Sequence, residues 1–422
     1  MSKPKLQKPR GMQDLLPLDQ KSLSHISETF ISVCRRAGVD KISTPILEST
    51  ELFNRAVGEQ TEVVSKEMYT LQDKSNNSLT LKPESTAGVV RAYIENGMAS
   101  LPKPVNLYYI EPHFRYERPQ SGRFRQHHQM GLEIFGDPYP SCDVHAICLG
   151  SRVLGNLGIK HTVAINSIGS AEDRNRYLEV LRKYFEPYKS DLPEINLSQL
   201  EHNPLRILDT KDEKVKRIVE DAPHILDYLD KDSSSRFHNI LEMLEGCGVG
   251  YELNTRLVRG LDYYNDTVFE YISARDEARD SLGGGGRYDG LVSEMGGVAT
   301  PAVGFGIGME RIKMELDAIK YIPKEEKLEV FVVAIGKEAS GYAEIIREKL
   351  LDAGIRVDAN FTKKSISDQL AIAASKEAIY AVIVGAREAQ QKEAIIKDMH
   401  SGNQHTEGQD SIVSSLLKAL KG

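Results

Sequence analysis

The segment FRYERPQSGRFRQHHQMGLEIFG (114–136) limits the possible folds more than any other, because it joins a basic loop to a strand-like pattern. Pro119, Gly122 and the polar residues around them predict a loop between two strands. In the second strand Gln129 and Glu133 alternate with apolar residues, so they should share one face of a sheet. An acid and an amide on one face, behind an arginine-rich loop, favour a pocket over a plain apolar core.

Four arginines fall within eleven residues of this loop, opposed only by Glu117: Arg115, Arg118, Arg123 and Arg125. Arginine presents a planar fork of donors that suits phosphate oxygens. Composition alone favours the alternative of a solvated, charged hairpin. The interpretation as a pocket therefore depends on the period-two pattern that follows the loop.

Two glycine-rich segments come later in the chain. SLGGGGRYDGL (281–291) lacks the phosphate-loop pattern, and its four glycines allow either a close approach to a ligand or a flexible turn. GFGIGMERI (304–312) predicts a strand with one bare face, followed by a helix that carries Glu310 and Arg311. The alternating glycines allow tight strand packing, or an open surface where the arginine clamps a planar phosphorylated ligand.

Composition narrows the class of protein without deciding it. A chain of 422 residues predicts two or three domains, and no run approaches the roughly 20 apolar residues that span a bilayer. The four cysteines form no CxxC pair, so neither a zinc site nor a disulfide framework is expected. The N-terminus shows no signal peptide pattern, which predicts a cytoplasmic protein. The net charge of −7 argues against non-specific nucleic-acid binding but allows a local basic loop to meet RNA.

Periodicity gives the domain organisation. Residues 18–37 predict an amphipathic helix, and residues 170–245, which are charged and poor in glycine, predict a helical insertion. A polar linker is expected at 321–327. Beyond it, strands and helices alternate from EVFVVAIG to AIYAVIVGA, which predicts a small parallel or mixed sheet with helices on its faces.

The order of FRYERP, a glycine-rich strand and GIGMER resembles motifs 2 and 3 of the class II aminoacyl-tRNA synthetases. Motif 1, which builds the dimer interface in that family, would be the early helix and a strand containing Pro45. LVRGLDYYNDTVFEY (257–271) and LGGGGRYDGL resemble two signatures peculiar to histidyl-tRNA synthetases. KPRGMQDLLP, GEQTEVVSKEMYTL and LKPESTAGVVRAYIENG follow the remaining landmarks of that family in order, so the resemblance spans essentially the whole chain.

The resemblance implies a class II catalytic domain over residues 1–325, an α+β domain with a mainly antiparallel sheet and a helical insertion at about 170–245. It implies an α/β anticodon-binding domain over residues 328–422. The implied activity converts histidine and ATP to histidyl-adenylate and pyrophosphate, then transfers histidine to the 3′ end of tRNA(His). The implied ligands are L-histidine, tRNA(His) and ATP with Mg²⁺. The family also implies a cytoplasmic homodimer with no membrane contact and no tightly bound metal on the protein.

The resemblance also assigns site residues. Arg115 and Arg259 are the implied catalytic residues. Arg115 would contact the α-phosphate of ATP, and Arg259 would lie between that phosphate and the histidine carboxylate. The residues implied to bind histidine are Glu84, Ser85, Thr86, Arg115, Gln129, Glu133, Arg259, Tyr263, Tyr264 and Tyr288. Those implied to bind ATP are Arg115, Glu117, Arg123, Phe124 and Arg311. Arg118 and Gln120 are implied to meet the acceptor end of the tRNA.

One segment departs from the family pattern. Arg-Pro-Glu-Gly-Thr is usual there, whereas this chain has Lys-Pro-Glu-Ser-Thr at 82–86. Lys82 keeps the charge but loses bidentate geometry, and Ser85 would be strained if its backbone needed a positive φ. An alternative function is a catalytically inactive synthetase paralogue that acts as a regulatory subunit in histidine biosynthesis. Such paralogues typically lack the Arg259 segment and the C-terminal domain, and this chain has both.

Overall fold

A computed structural model describes residues 6–58, 61, 63–119, 122–210, 212–275, 281–321, 327–362 and 365–421. The chain forms two compact units, Met1–Pro323 and Lys324–Gly422. Gln120 and most of the expected linker at 321–327 lie outside the described residues.

The first unit combines helices with strands. Its helices are α1 (Pro17–Arg36), α2 (Thr50–Val57), α3 (Thr86–Glu95), α4 (Pro140–Asn156), α5 (Ala171–Phe185), α6 (Glu194–His202), α7 (Glu213–Glu220), α8 (Lys231–Gly246), α9 (Leu291–Glu294) and α10 (Met309–Ala318). Its strands are β1 (Asp40–Lys41), β2 (Leu47–Ser49), β3 (Tyr69–Gln72), β4 (Ser78–Leu81), β5 (Val105–Phe114), β6 (Gln126–Phe135), β7 (His161–Ser167), β8 (Tyr251–Leu253), β9 (Asn265–Ser273), β10 (Ser281–Arg287) and β11 (Ala302–Gly308). A π-helical turn covers Val63–Glu67, and 3₁₀ turns cover Met98–Ser100, Glu186–Asp191, Pro204–Asp209 and Ile225–Tyr228.

The large sheet has the order β1-β5-β6-β11-β10-β9-β7-β8. Its six inner strands pair antiparallel, and only the edge strands β1 and β8 pair parallel to their neighbours. A second, three-stranded antiparallel sheet has the order β2-β4-β3. The mainly antiparallel sheet that the sequence predicts is therefore confirmed.

The four glycines of β10 form a central strand, so the alternative of a flexible turn is wrong. This strand lies between β9 and β11. A Cβ atom at Gly285 would lie 1.9 Å from the carbonyl oxygen of Gly304, and one at Gly283 would lie 2.4 Å from that of Gly306. Only glycine fits such an approach between backbones.

The two faces of the large sheet carry separate cores. Tyr108 belongs to the core that α1, α4, α8 and α10 cover, whereas Tyr109 belongs to the core that includes α2, α3 and the helices α5 to α7 of the insertion. Successive residues of a strand point to opposite faces, which explains the alternation. Leu132 and Ile134 likewise face the α1 side.

The early helix is confirmed, but the strand expected at Pro45 is wrong. Helix α1 buries Ile26, Phe30 and Val33 on the face that the sequence pattern indicates. Pro45 lies in the connection between β1 and β2. Proline has no N–H to donate to a sheet ladder, which accounts for the break.

The segment from 170 to 245 is mostly helical, as predicted, and it contains α5, α6, α7 and most of α8. It contacts the LVRGLDYY segment directly. Arg206 forms a 2.7 Å ion pair with Asp262, and Nη1 of Arg174 donates to the backbone oxygen of Tyr264 over 3.1 Å. The insertion therefore supports the chain on either side of Tyr263.

The second unit is an α/β domain with a mixed sheet. Its strands are β12 (Val330–Ala334), β13 (Val357–Ala359), β14 (Tyr380–Val384), β15 (Glu393–Asp398) and β16 (Gln404–Gly408), in the order β13-β12-β14-β15-β16. Its helices are α11 (Lys337–Asp352), α12 (Ile366–Ser375), α13 (Ala386–Gln391) and α14 (Ile412–Lys421). The predicted alternation of strands and helices is confirmed. Among the described residues, no helix of either unit has the length and apolarity to cross a membrane.

Candidate active site

A narrow cavity of about 60 Å³ lies on the α3 side of the large sheet. Nine of the ten residues expected to bind histidine line it: Glu84, Thr86, Arg115, Gln129, Glu133, Arg259, Tyr263, Tyr264 and Tyr288. The other lining residues are Tyr109, Leu261, Gly284, Gly304, Phe305 and Gly306. The fold thus brings together nine predicted side chains that lie up to 204 positions apart in the sequence, from Glu84 to Tyr288.

Ser85 does not line this cavity. Its Oγ lies 2.7 Å from Nε2 of His113, and the side chain is almost completely buried on the far side of its loop. Ser85 is thus the one residue implied to bind histidine that does not line the cavity, and its contact with histidine stays a prediction.

Glycines of β11 leave room for the polar side chains of β6. A Cβ atom at Gly304 would lie 1.9 Å from Oε2 of Glu133, and one at Gly306 would lie 3.4 Å from Oε1 of Gln129. The bare strand face that the sequence predicts is confirmed, and side chains of the paired strand β6 lie over it.

Glu133 is a buried acid surrounded by hydroxyl groups. Thr86 Oγ1 donates to its Oε1 over 2.8 Å, Tyr109 OH donates to the same oxygen over 3.4 Å, and Tyr288 OH donates to Oε2. Burial raises the pKa of Glu133 to about 8, against the opposing effect of the bonds from Tyr288 and Thr86. This group can therefore exist as a neutral acid near neutral pH.

Glu84 lies at the N-terminus of α3. Its carboxylate accepts the backbone N–H groups of Thr86 over 2.7 Å and Ala87 over 2.8 Å. Burial raises the pKa of Glu84, while those backbone bonds act in the opposite direction. A carboxyl group held in this way can accept an ammonium group that enters the cavity.

Three tyrosines form one wall of the cavity. The rings of Tyr263 and Tyr264 lie 4.6 Å apart between centroids, and those of Tyr263 and Tyr288 lie 5.6 Å apart. Burial raises the pKa of all three phenols, so they stay protonated and available as hydrogen-bond donors.

Arg259 also lines the cavity and pairs with Glu270 on β9. A Cβ atom at Gly284 would lie 2.9 Å from Nη1 of Arg259, so the second glycine of β10 makes space for the guanidinium. Sequence analysis does not identify Glu270. Its role becomes visible only when the register of β9 against β10 places it opposite Gly284.

Arg115 follows the last residue of β5, and its Nε donates to the backbone oxygen of Pro83 over 2.8 Å. Beyond it, Arg123 pairs with Glu117 at 3.2 Å, and Arg118 is exposed. Phe124 is half-buried just before β6. The loop is thus held by internal contacts near the cavity and exposed towards its tip.

Arg311 belongs to the first turn of α10 and donates to the backbone oxygen of Ser281. A Cβ atom at Gly122 would lie 3.6 Å from Cγ of Arg311, so the arginine loop and the start of α10 meet. Glu310, the residue before it, accepts the backbone N–H of His128 over 2.9 Å. The two arginine-bearing segments are therefore tied together beside the cavity.

A larger cavity of about 1020 Å³ lies between α4, β7 and the end of α8, and contains none of the predicted site residues. Within the described ranges, no group of three or more His, Cys, Asp or Glu side chains is arranged to hold a metal ion.

Comparison with known proteins decides the family. Residues 11–172 and 188–312 match the histidyl-tRNA synthetase family, and residues 329–419 match the anticodon binding domain family. The chain is 43% identical over 409 residues to the histidine–tRNA ligase of Synechococcus elongatus, covering 97% of this chain and 94% of that protein. The corresponding ligase of Acetivibrio thermocellus is 41% identical over 413 residues, covering 97% and 99%.

This chain belongs to the histidyl-tRNA synthetase family. The crystal structure of apo S. aureus histidyl-tRNA synthetase shares the fold, with a TM-score of 0.82, 32% identity and coverage of 98% of this chain and 100% of that chain. The family signatures LVRGLDYY and GGGGRYDG correspond to the two chain segments that supply Arg259, the three wall tyrosines and Gly284 to the cavity.

Proposed function

We propose that this protein is a histidine–tRNA ligase, which joins L-histidine to ATP as histidyl-adenylate and then transfers histidine to the 3′ end of tRNA(His). The observation that carries the proposal is the composition of the cavity. It places two buried acids, Glu84 and Glu133, and four phenols beside two arginines, within a chain of the histidyl-tRNA synthetase family.

The first reaction is attack of the histidine carboxylate on the α-phosphorus of ATP, with pyrophosphate as the leaving group. The carboxylate is already ionised, so no general base is required. The protein has to bring two anions together and offset their charge. Arg259 and Arg115 lie on the same cavity and would do this, Arg259 between both anions and Arg115 at the α-phosphate.

Recognition of histidine requires partners for an ammonium group and an imidazole. Glu84 and Thr86, with Gln129 nearby, would bind the α-amino group. Glu133, Tyr264 and Tyr288 would hydrogen-bond the two imidazole nitrogens. A site that bonds both nitrogens rejects apolar analogues, because its buried polar groups would lose their partners.

ATP would lie towards the arginine loop and α10. Glu117, Arg123 and Arg311 would bind its base and phosphates together with Arg115, and Phe124 would stack on the adenine. Mg²⁺ would arrive with ATP and be held mainly by the phosphates. The contact between Gly122 and Arg311 supports this arrangement, since it puts both segments at one edge of the site.

Transfer requires a tRNA acceptor end at the cavity. The exposed Arg118 and its neighbour Gln120 would meet it, and residues 328–422 would bind the anticodon as their family match suggests. Residues 1–325 would form the catalytic domain, including the insertion at about 170–245. A cytoplasmic homodimer built on α1 completes the proposal.

The alternative of an inactive regulatory paralogue is less well supported. The Arg259 segment is present and lines the cavity, and a unit matching the anticodon binding domain follows it. Regulatory paralogues of this kind typically lack both features, as the resemblance to the family implies.

The test is amino-acid-dependent exchange between ATP and pyrophosphate, measured separately with all twenty amino acids. We expect stimulation by histidine alone. Arg259→Ala should lower the histidine-dependent rate by roughly 10²–10³-fold, because a fixed charge at the reacting centre is lost. Arg182→Ala, which removes an arginine from a surface ion pair with Glu179, is the control and should match the wild type. Stimulation by another amino acid, or near-normal exchange in Arg259→Ala, would contradict the proposal.

A further inference from the structure

The loop between β4 and α3 rests on a buried polar cluster that faces away from the cavity. This cluster, which we call the support cluster, consists of Lys82, Ser85, Glu111 and His113. All four residues are at most 5% exposed. Two of them, Lys82 and Ser85, are the positions where the chain departs from the usual family pattern.

Lys82 and Glu111 form a buried ion pair. Thr44 provides further hydrogen bonds to both charged groups. Its backbone oxygen and Oγ1 accept from Lys82 Nζ over 3.2 and 3.3 Å, and its N–H donates to Glu111 Oε1 over 2.9 Å. A buried ion pair stabilises a structure only when such additional bonds complete it. The pair therefore fixes the start of the loop to β5 and to the segment before β2.

Ser85 connects this pair to His113. Its Oγ lies 2.7 Å from Nε2 of His113 and 3.4 Å from Oε2 of Glu111. Burial lowers the pKa of His113 well below its ordinary value, so the ring is neutral and carries one N–H. Within the described part of the chain Nδ1 of His113 has no partner, and a buried lone pair costs less than a buried N–H. The proton accordingly belongs on Nε2, and the bonds run from His113 to Ser85 and from Ser85 to Glu111.

The other side of the same loop faces the cavity of the candidate active site. The backbone oxygen of Pro83 accepts from Arg115, the carboxylate of Glu84 caps α3, and Thr86 donates to Glu133. Within the five residues 82–86, two side chains belong to the support cluster, and the other three residues contact groups that line the cavity.

We infer that the support cluster is a positioning device for the proposed reaction, which sets the histidine-binding edge of Glu84 and Thr86 against Arg115. This inference depends on the proposed function. It gives Ser85 a role behind the loop instead of a direct contact with histidine. It also explains how the chain tolerates a lysine and a serine in this segment: each has a buried partner, Glu111 and His113 respectively.

The experiment compares two variants with a matched control in histidine-dependent pyrophosphate exchange, with rates expressed per titrated active site. Ser85→Ala removes the link between His113 and Glu111. The double variant Lys82→Met/Glu111→Gln removes the ion pair without leaving a lone buried charge. Ser273→Ala is the control, because Ser273 is also buried, at 3% exposure, and its Oγ accepts the backbone N–H of Arg275.

We expect each test variant to raise the KM for histidine about tenfold, because a small displacement of a binding edge is costly. The KM for ATP should stay within about twofold, since most of the ATP contacts lie on the arginine loop and α10. Ser273→Ala should match the wild type. An unchanged KM for histidine, or equal rises in both KM values, would overturn the inference. Absence of histidine-dependent exchange in the wild type would instead refute the proposed function, and that result is seen before any substitution is made.

Discussion

Among single residues, Glu133 shows how burial changes the protonation of a carboxyl group. The sequence predicts only its position on the strand. The alternation in β6 places it on the cavity face, but its protonation depends on groups from three other segments. Tyr109, Thr86 and Tyr288 surround the carboxyl group with hydroxyls, and the residue is only 1% exposed. Burial then outweighs these bonds and raises the pKa of Glu133 to about 8.

This pKa has a consequence for stability. The folded protein holds the proton of Glu133 up to about pH 8, whereas an ordinary glutamic acid, with a pKa of 4.5, loses it earlier. Between these values the folded state binds more protons, so the free energy of unfolding falls as the pH rises, by at most about 1.4 kcal/mol per pH unit. Glu133→Gln lacks this dependence.

We therefore expect the stability of Glu133→Gln, relative to the wild type, to increase from pH 5.5 to pH 7.5 by up to about 3 kcal/mol. Urea unfolding at the two pH values measures the difference. Parallel pH profiles for the two proteins would show that Glu133 titrates normally.

Among secondary-structure elements, α4, β10 and α8 are joined by a buried charge cluster. Arg287 at the end of β10 and Asp143 in the first turn of α4 are both fully buried and form a 2.6 Å ion pair. Arg236 of α8 pairs with the same aspartate at 2.7 Å. Burial alone would lower the pKa of Arg287, but Asp143 raises it, so the guanidinium stays charged. The cluster fixes one end of the glycine strand, and Tyr288 follows directly.

Removing Asp143 should leave two buried or half-buried arginines without their shared carboxylate. Asp143→Ala should lower the free energy of unfolding by about 3–5 kcal/mol, as expected when one partner of a buried ion pair is lost. Glu213→Ala, which breaks an exposed pair with Lys216, should change it by less than about 1 kcal/mol. Chemical denaturation of both variants decides the point, and a loss of similar size in the two would mean that the cluster contributes little.

In the molecule as a whole, each unit has hydrophobic cores of its own. The cores of the first unit use residues from Leu23 to Leu316, and those of the second use residues from Val330 to Leu416. Every residue that lines the cavity belongs to the first unit. Activation of histidine should therefore need only the first unit, and charging of tRNA should need both.

A chain ending at residue 327 should retain histidine-dependent pyrophosphate exchange within about threefold of the full-length rate. Its kcat/KM for tRNA(His) should fall by roughly 10²–10⁴-fold, because a second linked binding module no longer contributes to affinity. Exchange and aminoacylation assays on the same preparation test both statements. A folded truncated protein that charges tRNA at the full-length rate would contradict them.

Local patterns are sufficient to predict most elements. The helix at α1, the strands around the arginine loop, the helical insertion and the alternating elements of the second unit follow from periodicity and are present. Nine of the ten residues that the family resemblance implies for histidine binding line one cavity. The strand expected at Pro45 is absent, because a short apolar segment does not show where a sheet ladder is interrupted.

The family, the order of most elements and nine of the residues around the cavity can be read from the amino-acid sequence. They depend on motifs and on periods of two and 3.6 residues, which are local properties of the chain. The arginine loop and the two glycine-rich segments are the clearest examples, since each is visible as a short run of letters.

The partners of these side chains are known only from the folded chain. Glu270 meets Arg259, Gly304 leaves space for the carboxyl group of Glu133, and Ser85 turns away from the cavity. These contacts depend on the register of the strands and on the packing of the loop before α3. A side chain's neighbours and its exposure to water depend on this packing, and no local pattern encodes them.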